Sequence, residues 1–485
     1  MDKAVRDKYT VVIGLEIHAQ LNTNSKAFSS DSNQYGSTPN SNVSPISLGH
    51  PGTLPRLNEK SIEFGIKLGI ACNSDITEYN EFSRKNYFYA DLPKGYQITQ
   101  FDTPICTGGH VPIRLSNGET KNIGLTRIHI EEDSGKSIHD IDPFNSLVDL
   151  NRAGVPLLEI VTEPEIASEE EAYEYLSEVR KLVRYLDICD GNMEEGSMRC
   201  DANISVMLNG AKEFGEKVEV KNMNSIRNVK RAISFEINRQ IELCEKNVEI
   251  LSETRGFDAP NGSTIQMRGK EGVNDYRFFP EPDLLPYVVT EAKIETIKAE
   301  MPMLPNELLA VYTNKYGLSE YDALNIIEIK EIGTYYNQIV SLTSNYKGAA
   351  NWIMGTIKSH LNKFGITIAE FSVTPQHIAE ILLLIDTHKI SNSSASKKLF
   401  PALLKSPEKT ATQLAESLDL IQNSDSDDLA GVIDEIFTKF PGETGRIKGG
   451  EMKLIGFFMG QIMKASGGKA DPKMTNKLLM QKIKS

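Results

Sequence analysis

Four stretches of this chain alternate apolar and polar residues with a period of two. Ile13, Leu15, Ile17, Ala19 and Leu21 alternate with Gly14, Glu16, His18 and Gln20; Ile128 and Ile130 with Arg127, His129 and Glu131, running on into Glu132 and Asp133. Cys200, Ala202, Ile204 and Val206 alternate with Arg199, Asp201, Asn203 and Ser205, and Val218 and Val220 with Lys217, Glu219 and Lys221. Side chains on a strand point alternately to opposite faces, so each polar set occupies one face. Asp and Asn are poor strand formers, and their presence asks for a reason. A solvated face of a half-buried antiparallel sheet is one explanation. Four strands that all mix carboxylates with His, Arg or Lys favour another, a polar sheet that holds a metal and phosphates.

At 485 residues the chain has room for roughly three domains of about 150 residues. No apolar run is long enough to span a membrane, and no presequence pattern precedes the Val11–Leu21 strand, so a cytoplasmic location is expected. The five cysteines are odd in number and never form a CxxC pair, which argues against a disulfide framework or a structural zinc site. A net charge of −13 argues against a protein that coats nucleic acid with its whole surface. Charge is segregated, however. Residues 441–485 hold nine Lys/Arg against three Asp/Glu, whereas 411–440 hold one Lys against seven acids, so the C-terminal end is where a polyanion docks.

Strands, turns and a few long helices are expected up to about residue 295. Ser168 and Glu171 form a capping box for a helix whose apolar stripe runs from Tyr175 to Leu186, with Gly191 as its stop. A second helix opens at Asn224-Ser225, and its free N–H groups face either a phosphate or an ordinary cap. Helical periodicity dominates from Met301 to Ile385, with Pro305 at a helix start, and Ser391–Ser396 and Asn423–Asp428 read as surface loops. The expectation is an α+β chain in three parts: a mostly antiparallel-sheet catalytic body over 1–295, a helical domain over 296–412, and a small basic helical tail over 413–485.

Neither a G-x-x-x-x-G-K-[ST] loop nor a G-x-G-x-x-G turn occurs, so phosphate handling falls to the charged sheet face and its loops. Glu16, Glu131, Asp201 and Glu219 offer hard oxygens suited to Mg²⁺. His18 and His129 suit Mn²⁺ or Zn²⁺ better if they bind directly, and otherwise stand behind the ligands. Arg199 and Lys221 are placed to neutralise a transferring phosphoryl group. The run Phe82–Tyr89 interleaves bases with aromatics, and its Ser83, Lys85 and Asn86 are candidate nucleotide contacts. No amidase nucleophile motif is present.

Several longer motifs, VIGLEIHAQLNTNSKAFS, GHPGTLPRLN, FSRKNYFYADLPKGYQI, IHIEEDSGKS, DLNRAGVPLLEIVTEP, GSMRCDANIS, VEVKNMNS and YRFFPEPDL, closely resemble the B subunits of the aspartyl/glutamyl-tRNA amidotransferases. The terminal LIGFFMGQIMKASGGKADPKMTNKLL is similar to that family's tail, so the resemblance spans nearly the whole chain. It implies a heterotrimeric enzyme in which an amidase partner releases ammonia and a small third chain belts the other two together. The B subunits themselves use ATP and Mg²⁺ to phosphorylate the side-chain carboxylate of misacylated Glu-tRNA(Gln) or Asp-tRNA(Asn). The resemblance further implies that Glu16, His18, Glu131 and Glu219, with Asp201, surround the metal, and that Arg199, Lys221 and Asn222 contact phosphate or substrate. Lys453, Lys464, Lys469, Lys473 and Lys477 are the expected tRNA contacts, a solvated helix face being the alternative. Cysteines of a zinc-binding insert seen in some relatives are absent. A stand-alone metal-dependent phosphoesterase and a non-catalytic tRNA scaffold are the rival readings of the acidic sheet.

Overall fold

The structure, a computed structural model, describes residues 2–139, 141–269, 276–421, 426–466, 470 and 472–484. The chain folds into two compact units, Met1–Pro305 and Asn306–Ser485.

The first unit is built on one large sheet. Its main path contains β1 (Tyr9–Gln20), β2 (Ser83–Asn86), β3 (Tyr96–Thr99), β4 (Thr120–Glu132), β5 (Pro156–Thr162), β6 (Met198–Leu208), β7 (Val218–Lys221), β8 (Glu253–Asp258), β9 (Ser263–Gly269) and β10 (Phe279–Pro280). Across the sheet these run in the order β9-β8-β7-β6-β1-β5-β4-β3-β2-β10. Among the described residues every neighbouring pair on this path is antiparallel except β7 and β8, which are parallel and joined through a helix. This is the mostly antiparallel α+β body that the alternating strands call for.

Alternation in β1 is carried through without a break, Ile13, Leu15, Ile17 and Ala19 being fully buried and Glu16, His18 and Gln20 half-buried. Three helices, α1 (Glu59–Ala71), α2 (Glu169–Tyr185) and α3 (Ile226–Glu245), share one apolar core with these strands. Ser168 caps α2 by accepting from the Glu171 amide at 3.1 Å, and the Glu171 carboxylate accepts in turn from the Ala167 amide at 2.9 Å. The helix stops earlier than Gly191. It ends at Tyr185, where Asp187 takes up the left-handed conformation (φ +56°) that commonly closes a helix. Helix Glu291–Ala299 belongs to this unit, with Ile297 in its core.

The second unit is built from helices, and Pro305, the last residue of the first unit, opens the helix that leads into it. The Ser391–Ser396 stretch is helical rather than looped. Ser391 caps a turn by accepting from the Ser394 amide, and Ala395, Leu399 and Leu403 bury the inner face that follows. Of Asn423–Asp428, residues 423–425 lie outside the described residues and 426–428 open the helix Ser426–Lys439. That helix and the segments after it enclose their own small core of Leu429, Ile433, Ile436, Ile447, Phe458, Ile462, Leu479 and Ile483. Among the described residues no helix is long and apolar enough to cross a membrane.

Candidate active site

Sheet register assembles the charged face. Arg199 on β6 lies opposite His18 on β1, His18 opposite Glu159 on β5, and Glu159 opposite His129 on β4. The flanking rows bring Asp201 opposite Glu16, and Leu157 opposite both Gln20 and Glu131. Because every second residue shares a face, one stretch of sheet carries acids, two imidazoles and a guanidinium.

Glu159 is the hub of this arrangement. Its Oε2 lies 3.3 Å from His18 Nε2 and 3.5 Å from His129 Nε2. Burial opposes its charge, but His129, His18 and Lys85 outweigh burial and hold its carboxyl well below the usual range. Burial also works against a charge on His18. There the hydrogen bond and charge of Glu159 win, and its pKa is raised. His129, with no such hydrogen bond and a buried Nδ1 lacking a partner, is lowered by burial. Next along β4, Glu131 Oε2 lies 3.4 Å from Lys85 Nζ. Burial disfavours that ammonium, yet Glu131 and Glu159 hold its pKa above the ordinary value.

Two further clusters continue the face. Lys221 bonds Asp201 and lies 3.1 Å from Glu219, whose other oxygen accepts from Thr254 Oγ1 at 2.8 Å. Asn203, opposite Glu219, donates to Glu16 at 2.8 Å. Burial and the nearby Glu159 charge raise the Glu16 pKa despite that bond. On the other side Asp133 accepts from Arg199 at 3.0 Å and from Gln20 at 2.7 Å, with Arg152 Nε at 3.4 Å. Burial alone would raise Asp133; the two guanidiniums hold it below the usual carboxylate range.

The structure thus brings Glu16, His18, Glu131, Arg199, Asp201, Glu219, Lys221 and Lys85 onto one connected face. It uses the other named residues differently. Ser83 is buried. The Asn86 amide donates to the Arg277 carbonyl at 2.8 Å and so anchors a neighbouring segment. Asn222 turns the chain at φ +65°, and its amide rests on Met267 Sδ. Of the two readings of the helix start at Asn224-Ser225, the ordinary cap is present, Ser225 accepting from the Asn228 amide. In the second unit Lys453, Lys464, Lys473 and Lys477 are exposed, and Lys469 lies outside the described residues.

Sequence reasoning passed over Glu159, and it left His129 open between a direct ligand and a place behind the ligands. Glu159 is the one acid within an otherwise apolar strand, Pro-Leu-Leu-Glu-Ile-Val-Thr, which is itself a signal, since a carboxylate is not buried without partners. His129, Glu131 and Glu159 are all buried and each offers a donor atom within 4.8 Å of the others'. One imidazole nitrogen with carboxylate oxygens suits a divalent cation, and the partnerless His129 Nδ1 is the kind of buried polar atom such an ion satisfies. The residues present therefore fit a metal.

The profile of the GatB/GatE catalytic domain matches residues 11–295, the body that carries the charged face, and that of the GatB domain matches residues 334–483. The first unit is a GatB/GatE-type catalytic domain. Curated proteins align from end to end. The B subunit of the aspartyl/glutamyl-tRNA(Asn/Gln) amidotransferase of Thermodesulfovibrio yellowstonii is 47% identical over 98% of this chain and 100% of its own. The proteins of that name from Trichodesmium erythraeum (46%; 99% of this chain, 98% of its own) and Geobacter sulfurreducens (47%; 98% and 99%) are similarly close. The chain belongs to the family of aspartyl/glutamyl-tRNA(Asn/Gln) amidotransferase B subunits.

Proposed function

We propose that this chain activates the side-chain carboxylate of misacylated Glu-tRNA(Gln) or Asp-tRNA(Asn) with ATP and then amidates it. The observation that carries this reading is the buried His18–Glu159–His129 row beside Glu131 and Lys85, embedded in a face that also presents Arg199 and Lys221. Buried carboxylates and bases in this number suit chemistry on an anionic substrate with an anionic phosphate donor. They do not suit a merely solvated surface. His129, Glu131 and Glu159, with Glu16, His18, Asp201 and Glu219 alongside, would hold a divalent cation, which would supply Lewis-acid charge to the transferring phosphoryl group.

A substrate carboxylate oxygen attacks the γ-phosphorus, the bond to the β-phosphate oxygen breaks, and ADP leaves. Ammonia then attacks the acyl carbon, the carbon–oxygen bond to phosphate breaks, and inorganic phosphate leaves as the nitrogen gives up a proton. Lys221 and Arg199 orient and neutralise the phosphoryl oxygens. Lys85, poised by Glu131, adds positive charge at the buried end, and burial keeps water from the acyl phosphate. Ammonia comes from a partner amidase, and a small third chain holds the two together. The exposed lysines of the tail grip the tRNA body, and the complex works in the cytoplasm.

The test is amidation by the chain co-purified with its partner subunits. With ammonium, ATP, Mg²⁺ and misacylated tRNA the product Gln-tRNA or Asn-tRNA is expected, and it should persist when the nucleophile of the partner amidase is inactivated, while glutamine-dependent amidation stops. Glutamine hydrolysis by the isolated chain would overturn this division of roles.

A further inference from the structure

Asp133 follows the last residue of β4 on the same face as His129 and Glu131, and only 3% of it is exposed. Its carboxylate has donors on both oxygens. Oδ1 accepts from Arg199 Nη2 and from the Ser134 amide, each at 3.0 Å, and Oδ2 accepts from Gln20 at 2.7 Å with Arg152 Nε 3.4 Å away. Arg152 is itself pinned by the Ser134 and Gly135 carbonyls, to which it donates at 3.0 and 2.9 Å. The Asp133 backbone adds two bonds: its amide donates to the Val155 carbonyl at 2.8 Å, and its carbonyl accepts from the Gly154 amide at 2.9 Å. A carboxylate among this many fixed donors has one orientation open to it.

Arg199 is placed otherwise. Its side chain is 37% exposed, and it reaches Asp133 from β6, with β1 and β5 lying between that strand and β4. An arginine so exposed samples many rotamers unless something holds its far end. Its Nε, by contrast, is buried and has no hydrogen-bond partner. A buried donor left open calls for an acceptor that arrives with a ligand. The guanidinium is planar and rigid, so the bond from Nη2 to Asp133 also fixes the direction in which Nε points. Carboxylate and phosphoryl oxygens are the acceptors that match such a donor. We propose that Asp133 is a positioning residue, which aims Arg199 at the anionic oxygens of the reacting groups without touching substrate itself. The inference rests on the function proposed above and adds the residue on which the placement of Arg199 depends.

The experiment uses the complex of this chain with its partner subunits and ammonium as nitrogen donor, and compares Asp133→Asn, Arg199→Met and the double variant. Asn keeps the size of Asp133 and one acceptor but loses the charge that grips the guanidinium. Asp133→Asn is expected to lower kcat about ten- to a hundredfold, the range for a misplaced catalytic group. KM for ATP and for misacylated tRNA should stay within about threefold. In the Arg199→Met background the same substitution should change kcat by less than about threefold, since the group it positions is gone. An unchanged kcat in Asp133→Asn would overturn the inference. So would an equal loss in both backgrounds, because a residue that supports the fold or touches substrate acts whether or not Arg199 is present. Arg199→Lys decides the matter even where Asp133→Asn does not fold. Lysine keeps the charge but cannot hold Asp133 and offer a second, fixed donor, so kcat should fall at least about tenfold; a kcat within about threefold of the native value would overturn the inference. A native complex that makes no amidated tRNA from ammonium and ATP would instead count against the proposed function.

Discussion

Replacing Glu159 with Gln keeps the shape of the hub and removes its charge. In the native protein the Glu159 hydrogen bond and charge are what raise His18 against burial; without them burial and the nearby Arg199 both push His18 down. The sign of the effect follows from linkage. A histidine whose folded pKa is raised contributes stability that is fully present below its unfolded pKa, about 6.5, and is lost as pH rises through the folded value. A histidine whose folded pKa is depressed instead costs stability as pH falls below about 6.5, because the unfolded chain takes up a proton that the folded one refuses. His18 and the depressed His129 therefore offset one another in the native protein, whereas in Glu159→Gln they act together. The folded variant binds one proton fewer at His18, so relative to the native protein it loses about 1.4 kcal/mol per pH unit below pH 6.5. With unfolding entropy near 2 cal/mol/K per residue over a body of this size, that is about 2 °C of melting temperature per unit. A smaller pH-independent loss, about 0.5–1.5 kcal/mol for weakening the uncharged part of the hydrogen bond, is superimposed. Melting curves for both proteins from pH 8 to pH 5 are the assay. Parallel profiles that differ by a constant offset would refute the reasoning.

Other perturbations separate chemistry from binding. Glu131→Gln removes one anionic donor from the buried cluster and should abolish ATP-dependent activation, read as ADP release, while tRNA affinity stays nearly unchanged; parallel loss of both would mark the residue as structural. Deleting the tail should weaken tRNA binding and flatten its salt dependence, but the cut belongs after residue 421, because a cut at Pro441 would strand Leu429, Ile433 and Ile436 without the rest of their core. An unchanged salt slope would place the tRNA contacts elsewhere. Gly69→Ala should destabilise the body by about 1–3 kcal/mol, since a Cβ there meets Cys106 Sγ at 2.4 Å and Ile76 Cδ1 at 2.6 Å; a denaturant midpoint at or above the native one would show that the helix shifts freely.

Much of the charged face was legible in the sequence because β1, β4, β6 and β7 alternate cleanly, and alternation maps directly onto faces. What it does not reveal is which strands are neighbours. That β5 lies between β1 and β4, and so puts Glu159 between two histidines, follows from long-range pairing, and β5 is buried on both faces and shows no alternation. Ser83 and Asn86 show the limit of reading residue type alone. Their types suit phosphate contacts, and the sequence does not show that Ser83 is buried in its strand or that the Asn86 amide donates to the Arg277 carbonyl. The serine run at 391–396 reads as a loop by composition, yet one serine acting as a cap lets the others enter a helix.

The position of β1 has a consequence for biosynthesis. It leaves the ribosome well before its partners, β5, beginning at Pro156, and β6, beginning at Met198. At elongation rates of about 5–20 residues per second, the strand waits roughly 10–40 s before both edges can be paired. Through that interval Ile13, Leu15 and Ile17 stay apolar, extended and uncovered, with open backbone donors on either side. A nascent chain stalled before residue 208 is thus a natural client for a holding chaperone, and slow codons between the first strand and the sixth would be felt as aggregation rather than as lost activity.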